Sequence, residues 1–468
     1  PHWGWRSLGS DWFRGDHLLL SVVDFTADTS FSVCPPCETR DECPRVGSWS
    51  PSQAATSVPG RIIAYPADMF AAALLFILSL LGLIGALNAL RRPATHRRPV
   101  LRPPFLPALL TAEAVPLRLL VHAVLALLLV WAGALGHLPG RVGLVLTILT
   151  WTAYVVIQWR AAATKRVMAS ALSAAGIDQE GFAHVDWSRV IAAYPYRLPK
   201  SVARTEDIEY ADGLRLDVYR SRDLSPGPHP ALLYVHGGSW RGGNRRQQGR
   251  PLLHRLAENG WVGVSASYPL VPEATFPDQL VALKCALAWM RSEGSAFGID
   301  PHFIAISGGS AGGHLAALTA LTPNRPEYQP GFESVDTSVQ AAIPVYGIYD
   351  FLNRNRTRDP WPIIPRWVMK ADEREEEELF RQASPLDQVN SDAPPFLIIH
   401  GAADSVVPTA EAHQFVQALR DVSENYVAYA EVPGANHAFD VLDSLRTHYV
   451  ISGVGRFLDS CRSRRSVF

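Results

Sequence analysis

Three residues that could cooperate in nucleophilic catalysis occur in this 468-residue chain in the order serine, aspartate, histidine. Ser310 lies in the string GGSAG, residues 308–312, between an apolar run that predicts a strand and another that predicts a helix. Small residues on both sides permit a sharp, strained turn that exposes a serine hydroxyl. Asp404 and His437 each follow a run that predicts a strand. We therefore predict Ser310 as nucleophile, His437 as general base and Asp404 as the residue that orients His437.

Glycines upstream of the serine could supply the second part of such a site. They lie in the string HGGSW, residues 236–240, which follows an apolar, β-rich run. Glycine lets a loop bring its backbone N–H groups close to a substrate, so we expect those of Gly237, Gly238 and Ala311 to form an oxyanion hole. Trp240 could stack on the substrate or seal this loop. We include it among the predicted substrate-binding residues, with sealing as the alternative.

Other polar residues near these motifs fit structural roles better. His236 is expected to brace the glycine loop, and His400, at the end of a predicted strand, to be a core histidine. Asp350 also follows a strand, but Asp404 has the better position for the acid of a triad. The sequence contains no P-loop, dinucleotide fingerprint or cluster of metal-ligand residues, so we predict neither a cofactor nor a metal.

The order of apolar runs predicts the fold that must position these residues. Leu214–Tyr219 alternates as an antiparallel entry strand, and strands then alternate with helices up to the strand at 340–346. This alternation predicts a mostly parallel, doubly wound sheet of the α/β-hydrolase type over residues 196–468. An insertion near 350–390 interrupts the pattern. Its proline-punctuated apolar part could line an acyl pocket or touch lipid, and its acidic run, 372–378, is expected to be a solvated helix face.

A second region, residues 69–160, accounts for the positive mean hydropathy of +0.04. Three apolar runs there predict membrane helices, at Met69–Leu90, Leu117–Leu135 and Val142–Trp159, with a tight turn at 137–141 between the last two. Buried core helices are the alternative, although such helices seldom run this long without a polar face.

Charge predicts the orientation of these helices. Arginines cluster between the first and second runs and basic residues follow the third, whereas the turn between the second and third holds only Arg141. The positive-inside rule therefore places the N-terminus outside and the catalytic domain on the cytoplasmic side of a multi-pass membrane protein. The net charge of −1 gives no indication of a nucleic-acid partner.

The remaining regions are less informative. Residues 1–68 precede the first methionine, Met69, and are expected to be a poorly defined segment or an upstream extension. Its three cysteines, Cys34, Cys37 and Cys43, could form a local disulfide or have no function. Residues 161–195 are expected to be a helical connector to the catalytic domain.

The motifs, taken together, resemble those of the carboxylesterases related to hormone-sensitive lipase. HGGSW, YPLVPE at 268–273 and GGSAGG at 308–313 carry the resemblance, which is strongest to the membrane-associated lipase/esterases of actinobacteria and covers about residues 195–460. It implies an α/β-hydrolase that cleaves carboxylic esters with short to medium acyl chains, without a metal. The predicted membrane helices indicate lipid-like esters as a further substrate class. The oligomeric state stays open.

Two departures from that family widen the range of functions. Ser239 replaces the third glycine of the usual HGGG loop, a form that is also found in formamidase-like and feruloyl-esterase-like relatives, so an amidase or formamidase is an alternative. Pro269 replaces the arginine that is common after the tyrosine. A non-catalytic, membrane-tethered binding module is an alternative of another class. A transporter is disfavoured because the apolar runs contain no paired charges.

Overall fold

The structure is a computed structural model that describes residues 66–91, 105–177, 181–192 and 197–465. These residues belong to the unit Ala64–Phe468. The three clustered cysteines and nearly all of the segment 1–68 lie outside the described residues.

One sheet of eight strands forms the centre of the catalytic region. Its spatial order is β1-β2-β4-β3-β5-β6-β7-β8. The first two strands are antiparallel to their neighbours and the others are parallel, so the predicted mostly parallel sheet is confirmed. The strands are β1 Val202–Ala211, β2 Leu214–Ser221, β3 His229–Val235, β4 Val262–Ala266, β5 Ile299–Gly309, β6 Ala341–Val345, β7 Phe396–Gly401 and β8 Val427–Val432.

Helices cover both faces of this sheet, which explains why its central strands are almost wholly apolar. Successive residues of β3 alternate between the two cores: Leu233 packs in one and Leu232 in the other. The helices of this region are α6 Trp187–Ala192, α7 Arg250–Glu258, α8 Asp278–Ser292, α9 Ala311–Leu321, α10 Glu377–Gln382, α11 Thr409–Val422 and α12 Leu445–Arg465. The sequence analysis missed β1 because most of its residues are at least partly exposed and several are charged, as on an edge strand.

The acidic run in the insertion corrects one expectation. Residues 372–378 are exposed as predicted, but only Glu377 and Glu378 belong to a helix, α10. The preceding residues form turns. Repulsion between like charges three and four residues apart disfavours a helix over the whole run.

In the described part of the chain, five further α-helices come before α6: α1 Ala67–Leu90, α2 Phe105–Glu113, α3 Val115–Trp131, α4 Leu138–Ala162 and α5 Thr164–Ala174. Two stretches are long and apolar enough to cross a membrane, α1 and the continuous segment 138–174, and α2 with α3 would make a third if this bent pair counts as one span. The bend between α2 and α3 is 85°. The turn predicted at 137–141 is shorter than expected, because Pro139 lies in the first turn of α4, where a missing N–H is tolerated.

Small residues join α1 and α4. A Cβ atom on Gly143 would lie 2.8 Å from the backbone nitrogen of Phe76, so the two helices approach closely only because Gly143 has no side chain. The hydroxyls of Ser79 and Thr147 are 2.6 Å apart. Large apolar side chains of these helices, such as Leu81, point outward and are exposed. Small residues inside and large apolar residues outside are typical of helices that pack in lipid.

Candidate active site

The turn between β5 and α9 holds Ser310 in a strained conformation. Its φ of 58° and ψ of −121° are unusual for a residue with a side chain. The neighbouring glycines make the turn possible: a Cβ on Gly308 would lie 2.5 Å from the carbonyl oxygen of Gly312, and one on Gly312 would lie 2.1 Å from that of Val235. The turn therefore raises the partly exposed Ser310 hydroxyl above the end of the sheet.

The three residues of the predicted triad lie together. The Nε2 atom of His437 is 2.9 Å from the Ser310 hydroxyl oxygen, and its Nδ1 atom is 2.8 Å from a carboxylate oxygen of Asp404. Asp404 follows β7 and His437 follows β8, so the parallel strands bring both loops to the edge of the sheet where β5 ends. These distances allow a proton to pass from the serine to the histidine.

Asp404 is held as a buried anion. Its Oδ1 atom accepts hydrogen bonds from the backbone N–H groups of Val406 and Val407, both at 2.8 Å. Burial by itself raises the pKa of Asp404, but the charge and hydrogen bonds of His437 and His400 outweigh it, so this pKa lies below its usual range. A carboxylate here orients the His437 ring with its Nδ1–H toward Asp404, which leaves Nε2 to accept the Ser310 proton.

Two alternative residues do not contact Ser310 and serve structural roles. His400 is fully buried, and its Nε2 atom lies 2.9 Å from the carbonyl oxygen of Val407 and 3.4 Å from a carboxylate oxygen of Asp404, so it is a core histidine that supports the acid. The Asp350 carboxylate accepts hydrogen bonds from the backbone N–H groups of Leu352 and Arg354, at 3.1 and 2.8 Å. Asp350 thus stabilises its own loop, in agreement with the structural role predicted for it.

The predicted oxyanion hole needs one correction. The N–H of Gly237 donates a hydrogen bond to the side-chain oxygen of Gln248 at 2.8 Å, so this amide is not free to bind an oxyanion. In the described part of the chain, no acceptor is bonded to the N–H of Gly238 or of Ala311. Gly238 has a φ of +129°, where only glycine fits readily. A Cβ atom on Gly237 would lie 3.1 Å from the Cβ of Ser310, so the loop passes directly beside the serine.

His236 braces this loop from behind. Its ring stacks on that of Tyr268, with centroids 4.4 Å apart, and the Tyr268 hydroxyl donates to the His236 carbonyl oxygen at 2.9 Å. Burial lowers the pKa of His236 to about 4, so its ring is neutral at physiological pH. A neutral, enclosed histidine fits the predicted structural role.

The predicted role of Trp240 also needs correction. Its side chain is only 1% exposed, and it meets the rings of His314 and Phe351 edge to face, at 5.2 and 5.3 Å. A substrate cannot stack on a tryptophan that is buried on all sides. The predicted substrate contact is therefore wrong, and the alternative, that Trp240 seals the loop, describes the structure.

Two aromatic residues that the sequence analysis missed flank His437. The ring of Tyr346, the residue after β6, lies 4.6 Å from the His437 ring, and its hydroxyl donates to the carboxylate of Asp440. The ring of Phe105, the first residue of α2, lies 6.4 Å from the His437 ring. The position of Tyr346 directly after a strand could have indicated that it lies near the active site. No such indication exists for Phe105, because it is more than 300 residues from His437 in the chain.

Metal binding is not indicated in the ranges that the structure describes. No group of three or more His, Cys, Asp or Glu side chains lies there in an arrangement that could hold a metal ion. The two cysteines found within those ranges, Cys285 and Cys461, are both free thiols.

The fold and the site define a class of protein. The parallel sheet with an antiparallel entry strand, the strained serine after β5 and the bonded serine, histidine and aspartate are those of the α/β-hydrolase fold. The BD-FAE family model matches residues 216–419. This part of the chain is therefore similar to the BD-FAE family.

Two proteins of Mycobacterium tuberculosis are similar to more than half of this chain. The probable carboxylic ester hydrolase LipM is 45% identical over 268 residues, which are 56% of this chain and 62% of LipM. The esterase LipQ is 44% identical over 276 residues, which are 58% of this chain and 65% of LipQ. The chain thus spans somewhat less than two thirds of the length of these relatives. Among solved structures, esterase 2 of Thermogutta terrifontis is 24% identical, with a TM-score of 0.48, over 57% of this chain and 97% of the other.

Proposed function

We propose that this protein is a serine hydrolase that cleaves carboxylic esters through an acyl-enzyme. The observation that carries the proposal is the unbroken chain of short contacts from the Ser310 hydroxyl through His437 to Asp404. The names of the relatives LipM and LipQ, a probable carboxylic ester hydrolase and an esterase, favour an ester as the substrate.

The geometry supports a two-step reaction. His437 Nε2 takes the proton of the Ser310 hydroxyl while the serine oxygen attacks the ester carbonyl carbon. His437 then gives that proton to the leaving alcohol, and the acyl group stays on Ser310. Water enters, loses a proton to His437 and attacks the acyl carbon, which releases the carboxylic acid and regenerates Ser310. Asp404 stabilises the imidazolium that forms twice in this cycle. The N–H groups of Gly238 and Ala311 would stabilise the negative oxygen in both steps.

The protein is proposed to work at a membrane. The N-terminal ends of α1 and α4 are joined by Asp68 and His137, at 3.1 Å, and the C-terminal ends by Arg160, which donates to the Leu90 carbonyl oxygen at 3.3 Å. The two helices therefore run in the same direction, and α3 between them can return across the bilayer. With the arginine-rich segment on the inside, the N-terminus is outside and the catalytic region is cytoplasmic.

A substrate series on the purified protein tests this function. We expect p-nitrophenyl esters to be hydrolysed with a higher kcat/KM than the matching anilides and than N-formylaniline. Faster turnover of N-formylaniline than of every ester would favour the formamidase alternative. Absence of turnover with all of these substrates, together with absence of labelling by a fluorophosphonate, would favour a binding module.

A further inference from the structure

The short helix α2 connects the membrane region to the predicted active site. Phe105 lies beside the His437 ring, and Leu109 packs in the core cluster that lies beneath β8. Ala108 and Ala112 line a small cavity together with Ser405 and Asn436, which neighbour the acid and the histidine of the triad. One face of α2 thus rests on both loops that carry those residues.

A buried ion pair fastens α2 in this position. Arg446 of α12 contacts the Glu113 carboxylate at 2.8 Å and donates to the Ala112 carbonyl oxygen at 3.1 Å. The other carboxylate oxygen of Glu113 accepts a hydrogen bond from Ser444 at 2.8 Å. Glu113 is the sole charged residue in the sequence of α2, so this pair neutralises the helix.

The opposite face of α2 is apolar and uncovered. Leu106 and Leu110 are 58% and 37% exposed. If α3 crosses the bilayer, the bend of 85° places α2 close to the plane of the membrane surface, between the bilayer and the catalytic region. A helix whose exposed face is apolar and whose single charge is buried lies, in that plane, at the boundary between headgroups and acyl chains.

We propose that Phe105 and α2 form one wall of the substrate site, and that this site receives its ester from the lipid phase, with the hydrocarbon chain lying along α2. The proposal rests on the proposed function and adds the substrate class: a water-insoluble ester that is dissolved in a bilayer. The wall places hydrocarbon next to His437 without exposing apolar substrate to water. The membrane region then contributes residues to the substrate site, in addition to anchoring the catalytic region.

Substitution of Phe105 in the full chain tests whether this side chain forms part of the substrate site. The protein is placed in bilayer nanodiscs of ether-linked phosphatidylcholine, a lipid that has no ester-linked acyl chain for the enzyme to cleave. We compare kcat/KM for p-nitrophenyl dodecanoate and p-nitrophenyl acetate. Phe105→Ala should lower the ratio of these two values about tenfold, mainly through KM for dodecanoate, because it removes several apolar contacts to a long chain. Phe105→Leu should restore most of the ratio. The control Leu127→Ala, on an α3 residue that is 66% exposed, should change neither value.

Two results would overturn the proposal. An unchanged ratio for Phe105→Ala would show that the side chain does not contact the acyl chain. Equal losses with both esters would show that Phe105 only positions His437. If every variant of Phe105 fails to fold, surface dilution of the wild-type protein decides: at constant bulk dodecanoate, more inert lipid should lower the rate in proportion to the mole fraction of ester. A rate that follows bulk concentration alone would contradict delivery from the bilayer.

The proposed function can fail separately. It fails if the wild-type protein hydrolyses neither ester and Ser310 is not labelled by a fluorophosphonate. Hydrolysis of acetate together with an unchanged ratio would leave the esterase intact and refute only the wall.

Discussion

The carboxylate of Glu113, in the apolar front end, lies 2.8 Å from the guanidinium of Arg446 in the last helix, and both side chains are at most 1% exposed. A charge that is buried this completely is tolerable only while its partner is present. The helices α2 and α12 are therefore joined by a contact, and removal of one partner leaves an uncompensated charge in the interior.

Glu113→Ala should consequently destabilise the protein strongly. We expect a loss of about 3 to 5 kcal/mol in the free energy of unfolding, because Arg446 stays buried without a counter-charge. Denaturant titration in detergent, followed by tryptophan fluorescence, measures this loss. Glu377→Ala removes one of the two carboxylate partners of Arg381, in an exposed pair, and should have no measurable effect. Equal effects of the two substitutions would contradict the account of α2 as a firmly docked helix.

The hydrogen bond from Gly237 to Gln248 predicts a role in catalysis through positioning. Gln248→Ala should lower kcat about tenfold with little change in KM, because the glycine loop loses the bond that holds Gly238 beside Ser310. Gln247→Ala is the matched control, since its side chain is exposed on the same loop. Steady-state kinetics with a short ester gives both constants. A loss confined to KM would mean that Gln248 binds substrate instead.

Asp404 can be tested against its rival in the sequence. Asp404→Asn should lower kcat by about 10³ to 10⁴, because an amide no longer stabilises the imidazolium and permits the wrong histidine tautomer. Asp350→Asn should act mainly on stability, since that carboxylate caps backbone N–H groups of its own loop. Measurement of kcat for both variants, with thermal unfolding beside it, separates the two roles. Similar kcat losses would show that the acid has been assigned wrongly.

Lys284 makes an independent prediction about pH. It is fully buried in α8, 3.3 Å from the Thr337 hydroxyl, and burial lowers its pKa to about 7. Between that value and the unfolded pKa of about 10.4 the unfolded chain binds more protons than the folded one, so stability rises with pH in this window. Lys284→Met should remove this rise, whereas Lys200→Met, at an exposed position, should keep it. Denaturant midpoints from pH 6 to pH 10 would show the difference, and an unchanged slope in Lys284→Met would refute a buried neutral amine.

The sequence predicts those parts of the site whose signals are local. The glycines around Ser310 predict a strained turn, and Asp404 and His437 follow short apolar runs that predict strands. Parallel strands then bring their ends to one edge, so that three distant residues meet without any long-range information.

The errors arise where the outcome depends on tertiary contacts. Whether Trp240 faces substrate or core depends on the rings of His314 and Phe351, which are distant in sequence. The sequence could not predict that the Gly237 N–H donates to Gln248, because nothing in the sequence distinguishes Gln248 from a surface glutamine. Phe105 belongs to a region with no catalytic motif, and its neighbour His437 is brought to it only by the docking of α2.

The central claim is that Ser310 is the acyl-accepting nucleophile of this site. Its most direct test is incubation of the wild-type protein with a p-nitrophenyl ester under rapid-quench conditions, followed by peptide mass spectrometry. The account predicts an acyl group on the peptide that contains Ser310, formed in a burst of p-nitrophenol, and absent in Ser310→Ala. Turnover of the ester by Ser310→Ala at the wild-type rate, or an acyl group found on another residue, would contradict it.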